Sequence, residues 1–400
     1  MLEVKIINQN NEGMGIAKIN DKIAFIPFTL KDELVTCEVI KENKKYNEGK
    51  LIDIKKTSDE RQVPKCKYYF ECGGCNLMHQ KYSSQLIFKK NKVINNLRHI
   101  SNINIDDINI IYDKEFNYRN HITLTVNRNS IGFYKNHSNT MVDIDECLIS
   151  NEKINNVLKD IRKFINKYMD NNIDRISIKG YNEILVNIES SNFKLIDEFK
   201  NYVVCDSLYI NNKFVSGLKE VTINLGKYKY KVSAQSFFQK NTDMTIKLYD
   251  YIKTLVNKDE NILDLYCGSG GIGIYISENA KNIIGIEIIE DAVLNAKENA
   301  RINNINNITF KSGKVEDNLD DIKDIDTIIV DPPRVGLNKK AIDDILKINP
   351  KRIIYVSCNS TTLARDLNYL KDMYELEEIK LFDLFPNTHH VESVCVLKHI

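Results

Sequence analysis

One cysteine of the 400-residue chain follows the end of a predicted core strand. The run 352–357 predicts the strand, and Cys358 and Asn359 come directly after it. In a parallel sheet, residues at the carboxyl ends of the strands line the ligand-binding edge. A cysteine that only fills the core would more naturally lie within the strand. The position of Cys358 therefore favours a nucleophilic thiol.

A glycine-rich turn predicts a binding site for an adenosine-containing cofactor. The segment 264–273 joins a predicted strand to a predicted helix, and its glycines let the backbone approach a ligand closely. Glu287 ends the next strand, where a carboxylate can accept hydrogen bonds from both ribose hydroxyls. A dinucleotide and S-adenosylmethionine both satisfy these features. Asp264, which suits a cationic ligand, and the stiff Asp-Pro-Pro-Arg segment that begins at Asp331 favour S-adenosylmethionine.

A cysteine beside a methyl donor has a specific chemical use on uracil. Carbon 5 of uracil is a poor nucleophile until a thiolate adds at carbon 6, and the resulting enolate can then take a methyl group. A base must afterwards remove the proton on carbon 5 so that the thiol leaves. Three residues near the C-terminus are candidates for this base: His389, His390 and Glu392. Glu392 lies in a strand-like segment that can return antiparallel beside the strand before Cys358, although a solvated edge-strand glutamate gives the same pattern.

Four further cysteines have the spacing of a metal site. Cys66, Cys72 and Cys75 share a short glycine-containing loop, and Cys147 is a distant fourth candidate. Four thiolates can hold zinc or an iron–sulfur cluster, and three close ligands with one distant ligand favour a cubane cluster over the two close pairs usual for zinc. We expect such a cluster to be structural or to position RNA. Apart from Cys358, four cysteines remain, and we expect them to pack in apolar surroundings. They are Cys37, Cys205, Cys267 and Cys395.

The elements that must position these residues fall into three predicted domains. Residues 1–57 alternate short strands with turns, which is typical of a small β-barrel that holds RNA or only packs on its neighbour. Residues 58–230 combine the cysteine loop, a predicted solvated amphipathic helix over residues 82–100 and an α+β pattern. Residues 231–400 alternate strands and helices, which predicts a Rossmann-like, doubly wound, mostly parallel sheet. The expected fold class is therefore multidomain α/β.

The charge distribution indicates where a polyanion would bind. The whole chain has a formal net charge of +1, which argues against a uniformly basic nucleic-acid binder. Residues 1–100 contain 18 Lys and Arg against 12 Asp and Glu, a net charge of +6, so the remaining residues have a net charge of −5. A local basic excess is the electrostatic footprint of a nucleic-acid contact. The first quarter of the chain is therefore the expected RNA-binding part.

Composition bounds the class of protein. Hydrophobic residues make up 42% of the chain and charged residues 28%, which excludes a disordered or fibrous protein. No uninterrupted apolar stretch of about 18 residues occurs, and the first residues lack the pattern of a secretory signal. We expect a cytoplasmic protein without membrane contact, whose nine cysteines are thiols or metal ligands rather than disulfides.

Seven motifs occur in an order that is typical of one family. They are Glu12-Gly-Met-Gly-Ile-Ala, Cys72-Gly-Gly-Cys, Ser236-Phe-Phe-Gln-Lys-Asn, Asp264-Leu-Tyr-Cys-Gly-Ser-Gly, Asp331-Pro-Pro-Arg, Ser357-Cys-Asn and His390-Val-Glu-Ser-Val. Essentially the whole chain resembles the RNA uracil-5-methyltransferases that carry an N-terminal barrel of the TRAM type, an OB-like fold. The resemblance implies a class I methyltransferase domain at the C-terminus and S-adenosylmethionine as the methyl donor.

The resemblance also implies roles for individual residues. Cys358 is the implied nucleophile and Glu392 the implied base. The implied cofactor contacts are Gln239, Tyr266, Glu287 and Asp331. A 4Fe-4S cluster is implied on Cys66, Cys72, Cys75 and Cys147. The implied substrate is a uridine of 23S rRNA, with a tRNA uridine as the alternative, and the implied enzyme is a monomer.

Two other functions use some of the same features. Cytosine-5 methylation also proceeds through a cysteine adduct, but such enzymes usually place a cysteine in or beside the proline-containing motif, and the motif at Asp331 has none. A cluster-stabilised RNA-binding protein without methyl transfer would not need the intact glycine loop together with Glu287 and Cys358. Methylation of uracil is therefore the favoured hypothesis.

Overall fold

In the part of the chain that the structure describes, the strands form three large β-sheets and one hairpin. The computed structural model describes residues 1–136, 138–319 and 322–400. No helix within these residues combines the length and the apolar character needed to cross a bilayer. Separate buried clusters lie inside the N-terminal sheet, on one face of the central sheet and on both faces of the C-terminal sheet. The predicted multidomain α/β class is confirmed.

The six N-terminal strands form a sheet that closes on itself. Their bounds are β1 Leu2–Lys5, β2 Asn8–Gln9, β3 Gly15–Ile19, β4 Lys22–Ile26, β5 Leu34–Glu42 and β6 Tyr46–Lys56. The order across the sheet is β1-β5-β6-β4-β3-β2, so the two edge strands are neighbours in sequence. The sheet must curl until these edges meet, and the backbone N–H of Ile7 donates to the C=O of Ile16 at 2.8 Å. Register shifts between β5 and β6 add local twist. The predicted small barrel is confirmed.

The helix that follows the cysteine loop is clamped between units rather than solvated. Helix α1 (Tyr82–Asn96) continues into a π-helical turn over Leu97–Ser101. Val93 and Lys89 are fully buried, and the ammonium of Lys89 donates to Asp383 Oδ1 at 2.6 Å. The helix is amphipathic as predicted, but it is less solvated than expected, because a lysine on the inner face finds a buried carboxylate 294 residues away in sequence.

A seven-stranded sheet forms the central unit. Its strands are β8 His121–Asn127, β9 Ser130–Tyr134, β10 Met141–Asp143, β11 Arg175–Gly180, β12 Ile184–Glu189, β13 Ser207–Ile210 and β14 Lys213–Gly217. Helices α2 (Glu152–Lys167) and α3 (Ile196–Tyr202) pack against one face. Strand β8 alternates buried Ile122 and Leu124 with the half-buried Thr123, so its other face is polar. The central α+β pattern is confirmed.

The C-terminal sheet carries the predicted doubly wound pattern. Its strands are β17 Asn261–Leu265, β18 Asn282–Glu287, β19 Ile308–Ser312, β20 Thr327–Val330, β21 Arg352–Ser357, β22 Tyr374–Phe382 and β23 Glu392–His399. The order is β19-β18-β17-β20-β21-β23-β22, with β23 antiparallel to both of its neighbours. One further strand, β7 (Asn109–Ile111), comes from the central segment and pairs parallel with β22. The sheet therefore takes an edge strand from outside residues 231–400.

Helices alternate with these strands and cover both faces of the sheet. They are α4 Thr242–Thr254, α5 Gly271–Ile276, α6 Glu290–Ile302, α7 Lys339–Ile348 and α8 Ser360–Leu370. A hairpin of β15 (Val221–Leu225) and β16 (Tyr228–Val232) precedes α4 and packs into the same core. The crossover helices leave the carboxyl ends of the parallel strands uncovered, which is where α/β sheets bind ligands.

Candidate active site

The carboxyl edge of the C-terminal sheet collects the side chains that the sequence indicated. Glu287 ends β18, and Cys358 directly follows β21. Glu392 begins β23, and because that strand is antiparallel to β21, its first residue lies at the same edge. Ser357 pairs with Ser393, so the register places Cys358 beside Glu392. The predicted antiparallel return is confirmed, and a solvated Glu392 is excluded because it is 5% exposed.

The loop after β17 leaves open space beside its backbone. Gly268 and Gly270 have φ values of +54° and +81°, in the left-handed region that favours glycine. A Cβ added at Gly268 would meet no atom within 4 Å, whereas a Cβ at any other glycine of the chain would meet at least one. The N–H of Gly268 donates to Glu287 Oε2 at 3.1 Å, and the N–H of Ile289 donates to Oε1 at 2.9 Å. The Glu287 carboxylate is therefore held against the open part of the loop.

Asp264 presents a second carboxylate to this region. It is almost fully buried, and its Oδ2 accepts a hydrogen bond from the N–H of Gly273 at 3.0 Å. Its Oδ1 has no hydrogen-bond partner among the described residues. The pKa of Asp264 is raised to about 7, mainly by burial and in smaller part by the negative charges of Asp331 and Glu287. A positively charged ligand would satisfy the free oxygen and relieve this repulsion. The loop therefore fits S-adenosylmethionine, which carries a sulfonium and an ammonium group.

Replacement of Glu287 by Gln should weaken cofactor binding selectively. One carboxylate oxygen would become an amino group, so the side chain could no longer accept from two backbone N–H groups and from ribose. We expect the KM for S-adenosylmethionine to rise by roughly 10- to 100-fold with little change in kcat. Glu278→Gln is the matched control, since Glu278 is a surface residue that pairs with Lys227 and Lys253. Equal effects of both substitutions would contradict the ribose contact.

Burial dominates the electrostatic environment of Cys358 and Glu392. The pKa of the Cys358 thiol is raised to about 11, mainly by burial and also by the charge of Glu392, while Arg334 lowers it. The pKa of Glu392 is raised to about 8, mainly by burial and also by the charge of Asp331. Burial raises the pKa of Asp331 to about 7. A carboxyl group whose pKa is near the working pH can both accept and return a proton.

The two neighbouring histidines are held neutral. The pKa of His389 is lowered to about 4 and that of His390 to about 3, mainly by burial and in smaller part by neighbouring positive charges that include Arg334. Their rings lie 4.0 Å apart between centroids, and Nε2 of His390 is 3.5 Å from a guanidinium nitrogen of Arg334. Neutral imidazoles are weak partners for phosphate. Arg334, which sequence reasoning had considered only as part of a motif, is the cation that faces the site.

The segment before α4 crosses the same edge. Asn241 caps the helix, its side chain accepting from the N–H of Met244 at 3.2 Å. The buried ammonium of Lys179 donates to three carbonyls of the preceding turn, those of Ser233, Ala234 and Ser236, at 2.7 to 2.9 Å. This contact brings the central sheet to the segment that carries two further residues: the half-buried Gln239 and Phe237, whose side chain is 72% exposed. Sequence reasoning considered Phe237 only as part of a motif and missed Lys179. The exposure of the Phe237 side chain, which only the folded structure shows, singles this residue out.

The structure brings the four cysteines of the predicted cluster to one place. Cys66, Cys75 and Cys147 pack against the same buried residues, which include Tyr69 and Tyr118. Cys147 raises the pKa of Cys66, Cys72 and Cys75, after the larger effect of burial. The N–H of Gly74 donates to Sγ of Cys72 at 3.4 Å.

The chemistry of these donors bears on the kind of metal group that they could hold. Among residues 1–136, 138–319 and 322–400, no group of three or more histidine, cysteine or acidic side chains is arranged to hold a metal ion. The four thiols supply the donor type that both zinc sites and iron–sulfur clusters use.

Comparisons with known proteins cover the whole chain. The tRNA (uracil-5-)-methyltransferase profile matches residues 200–400, and the TRAM domain profile matches residues 1–52. A DNA methylase profile matches residues 75–298, which ends before Asp331, Cys358 and Glu392. An uncharacterized RNA methyltransferase of Clostridium acetobutylicum is 34% identical, with 100% of this chain and 97% of that protein covered. One from Staphylococcus aureus is 33% identical over 98% of this chain and 96% of its own length.

A solved structure matches over nearly the same length. It is the Pyrococcus abyssi tRNA (uracil-54, C5)-methyltransferase in complex with S-adenosyl-L-homocysteine. The TM-score is 0.83 at 28% identity, and the match covers 99% of this chain and 100% of that one. The sheet order, the open glycine loop and these full-length matches agree. The chain therefore belongs to the family of S-adenosylmethionine-dependent RNA uracil-5-methyltransferases and begins with a TRAM domain.

Proposed function

We propose that this enzyme methylates carbon 5 of a uridine through a covalent adduct of Cys358 at carbon 6. The observation that carries the proposal is the convergence of Cys358 and Glu392 at one sheet edge, beside the open cofactor loop. When bound, S-adenosylmethionine supplies an electrophilic methyl group. Four residues are the proposed cofactor contacts: Gln239, Tyr266, Glu287 and Asp331.

In the proposed reaction, residues of the chain account for each bond that forms or breaks on the uracil ring. The Cys358 thiolate forms a bond to carbon 6, and the displaced electron pair leaves an enolate whose carbon 5 bonds to the transferred methyl group. The Glu392 carboxylate removes the proton that remains on carbon 5. The carbon 5–carbon 6 double bond re-forms as the carbon–sulfur bond breaks, which returns Cys358 as a thiolate. Arg334 lowers the pKa of both Cys358 and Glu392 and so favours their anionic forms.

A target uridine must leave its base stack to reach this edge. Enzymes that modify a base inside folded RNA turn it out and hold it against an aromatic face. The exposed Phe237 lies two residues from Gln239 and has the character of such a stacking surface. We infer a division of labour in which residues 1–57 and 58–230 hold RNA and residues 231–400 bind the cofactor and carry out the chemistry, in a monomer.

The four-cysteine site is proposed to hold a 4Fe-4S cluster with a structural role. Its support is that Cys66, Cys75 and Cys147 pack on one buried cluster and that Cys72 is close enough for the charge of Cys147 to raise its pKa. Burial raises the pKa of Cys66, Cys72 and Cys75, so binding to iron would have to supply the free energy that ionises these thiols. Iron and sulfide analysis of anaerobically purified protein, with Cys72→Ser as the variant, tests this assignment.

The proposed substrate is 23S rRNA. The support for this choice is the family resemblance, because the chain combines the four-cysteine loop with a TRAM barrel. A tRNA uridine is the second candidate, because the Pyrococcus abyssi protein that matches over the whole chain acts on uracil 54 of tRNA.

Unmodified RNA from a strain that lacks the gene separates the two substrates. The purified enzyme is given labelled S-adenosylmethionine with 23S rRNA or with total tRNA, and 5-methyluridine is located by mass spectrometry. We expect one or two methyl groups per 23S rRNA molecule and none in tRNA. Incorporation into tRNA alone would overturn the rRNA assignment, and tritium release from cytosine-labelled rather than uracil-labelled RNA would overturn the base assignment.

A further inference from the structure

A polar stripe runs along the buried face of α1. Its members are Tyr82, Gln85, Lys89 and Lys92, spaced by three, four and three residues, which places them on one side of a helix. Polar residues on a buried face cost free energy unless each finds a partner. All four find theirs in one segment, the irregular loop of residues 383–391 that runs from β22 to Glu392, which we call the base loop.

The contacts follow the order of the stripe. Tyr82 donates to Asp383 Oδ2 at 3.0 Å, and Lys89 donates to Asp383 Oδ1 at 2.6 Å and to the C=O of Phe385 at 3.1 Å. Lys92 donates to the C=O of His389 at 3.0 Å. The helix therefore holds the base loop at its start, its middle and its end.

Asn387, at the tip of the base loop, has a left-handed backbone conformation, and hydrogen bonds hold both its backbone and its side chain. Asn387 has a φ of +66° and is fully buried. Its N–H donates to Gln85 Oε1 at 2.9 Å, and its C=O accepts from the N–H groups of Asn76 and Leu77 at 3.1 and 3.0 Å. Its side-chain amide donates to the C=O of Glu115 at 3.0 Å. A left-handed residue persists only where its surroundings hold it.

Asn76 joins three parts of the molecule. It directly follows Cys75, and its amide nitrogen lies 2.7 Å from the C=O of Glu12 in the barrel and 2.6 Å from Nδ1 of His389. Its Oδ1 accepts from the N–H of His389 at 2.9 Å. His389 is three residues before Glu392. Asn76 therefore ties the cysteine loop and the barrel to the last turn before the proposed base.

We propose that Asn76 and Lys92 are positioning residues that set the place of Glu392 and thereby the rate at which the covalent adduct resolves. The inference rests on the proposed function, since it assigns Glu392 to the removal of the carbon 5 proton. Neither residue touches the reacting atoms. Both hold His389, one through its N–H and ring and the other through its C=O. Proton abstraction depends steeply on geometry, whereas adduct formation depends on Cys358, which α1 does not hold through these bonds.

The test separates the two halves of the reaction. Wild type, Asn76→Ala and Lys92→Met are mixed in single turnover with S-adenosylmethionine and a labelled RNA substrate, and the covalent protein–RNA adduct is followed on denaturing gels. We expect adduct formation within about twofold of wild type and adduct resolution slowed by about tenfold or more, so that adduct accumulates. Asn76→Asp, which keeps the acceptor for the His389 N–H, should lie between wild type and Asn76→Ala.

A matched control distinguishes positioning from general loosening. Asn11→Ala removes a hydrogen bond of 3.2 Å between the barrel and Asn96 of α1. Among the described residues Asn11 makes no hydrogen bond to the base loop, so we expect adduct resolution at the wild-type rate. Hydrogen exchange of residues 384–391 should rise in Asn76→Ala and Lys92→Met and stay unchanged in Asn11→Ala. The inference would be overturned if Asn76→Ala and Lys92→Met resolved the adduct at the wild-type rate. It would also be overturned if these variants lost adduct formation and adduct resolution equally. Absence of any adduct in the wild type would instead overturn the proposed covalent mechanism.

Discussion

Cys358→Ala should abolish methylation and leave no covalent adduct with RNA. Without a thiolate at carbon 6, carbon 5 stays too weak a nucleophile to take the methyl group. We expect kcat to fall by roughly 10⁴-fold or more, the scale seen when a covalent catalyst loses its nucleophile. Cofactor binding, measured by isothermal titration, should stay within about twofold, because the glycine loop and Glu287 are separate from the thiol.

The control for this prediction is another half-buried thiol. Cys205 has a raised pKa of about 11, as Cys358 has, but lies between α3 and β13 of the central unit. Cys205→Ala should retain full methylation. If Cys358→Ala kept measurable turnover while Cys205→Ala did not, the nucleophile would be misassigned.

Glu392→Gln should stop the reaction after methyl transfer. A glutamine keeps the size of the side chain but cannot accept the carbon 5 proton, so the methylated adduct should accumulate. We expect turnover to fall by about 10² to 10⁴-fold, the usual contribution of a general base. Trapped protein–RNA adduct on a denaturing gel is the measurement. Release of product at an undiminished rate would point to another base, and His389→Gln and His390→Gln serve as the comparison.

The same assignment predicts a pH dependence with a definite sign. Glu392 acts as a base only when ionised, and burial raises its pKa to about 8. The rate of adduct resolution should therefore rise about tenfold per pH unit below pH 8 and level off above it. Asp331→Asn removes a charge that helps to raise this pKa, so the midpoint should move to lower pH. A profile that falls with rising pH would contradict the role of Glu392.

Local sequence patterns were sufficient for the elements that carry the chemistry. The strand predicted over residues 352–357 matches the observed bounds. Alternation and glycine turns depend on near neighbours in the chain, and so does the position of Cys358 just past a strand. The motif order was enough to indicate the family.

Long-range pairing was beyond the reach of those patterns. Periodicity placed α1 correctly as an amphipathic helix but did not show that Lys89 lies on its buried face, because the partner of Lys89 is Asp383, 294 residues away. The edge strand Asn109–Ile111 likewise joins a sheet whose other members begin at residue 261. A period of 3.6 residues reports which side of a helix is buried, not what covers it.

By itself, the sequence determined the family, the order of the elements and the residue types at the sheet edge, because these depend on short spacings along the chain. The tertiary structure alone decided that Glu392 is buried beside Cys358 with a pKa near 8 and that Cys147 packs on the same buried cluster as Cys66 and Cys75. It also decided that Asn76 and α1 hold the loop before Glu392. Burial and charge depend on which distant segments pack together, and that information is absent from any local stretch of residues.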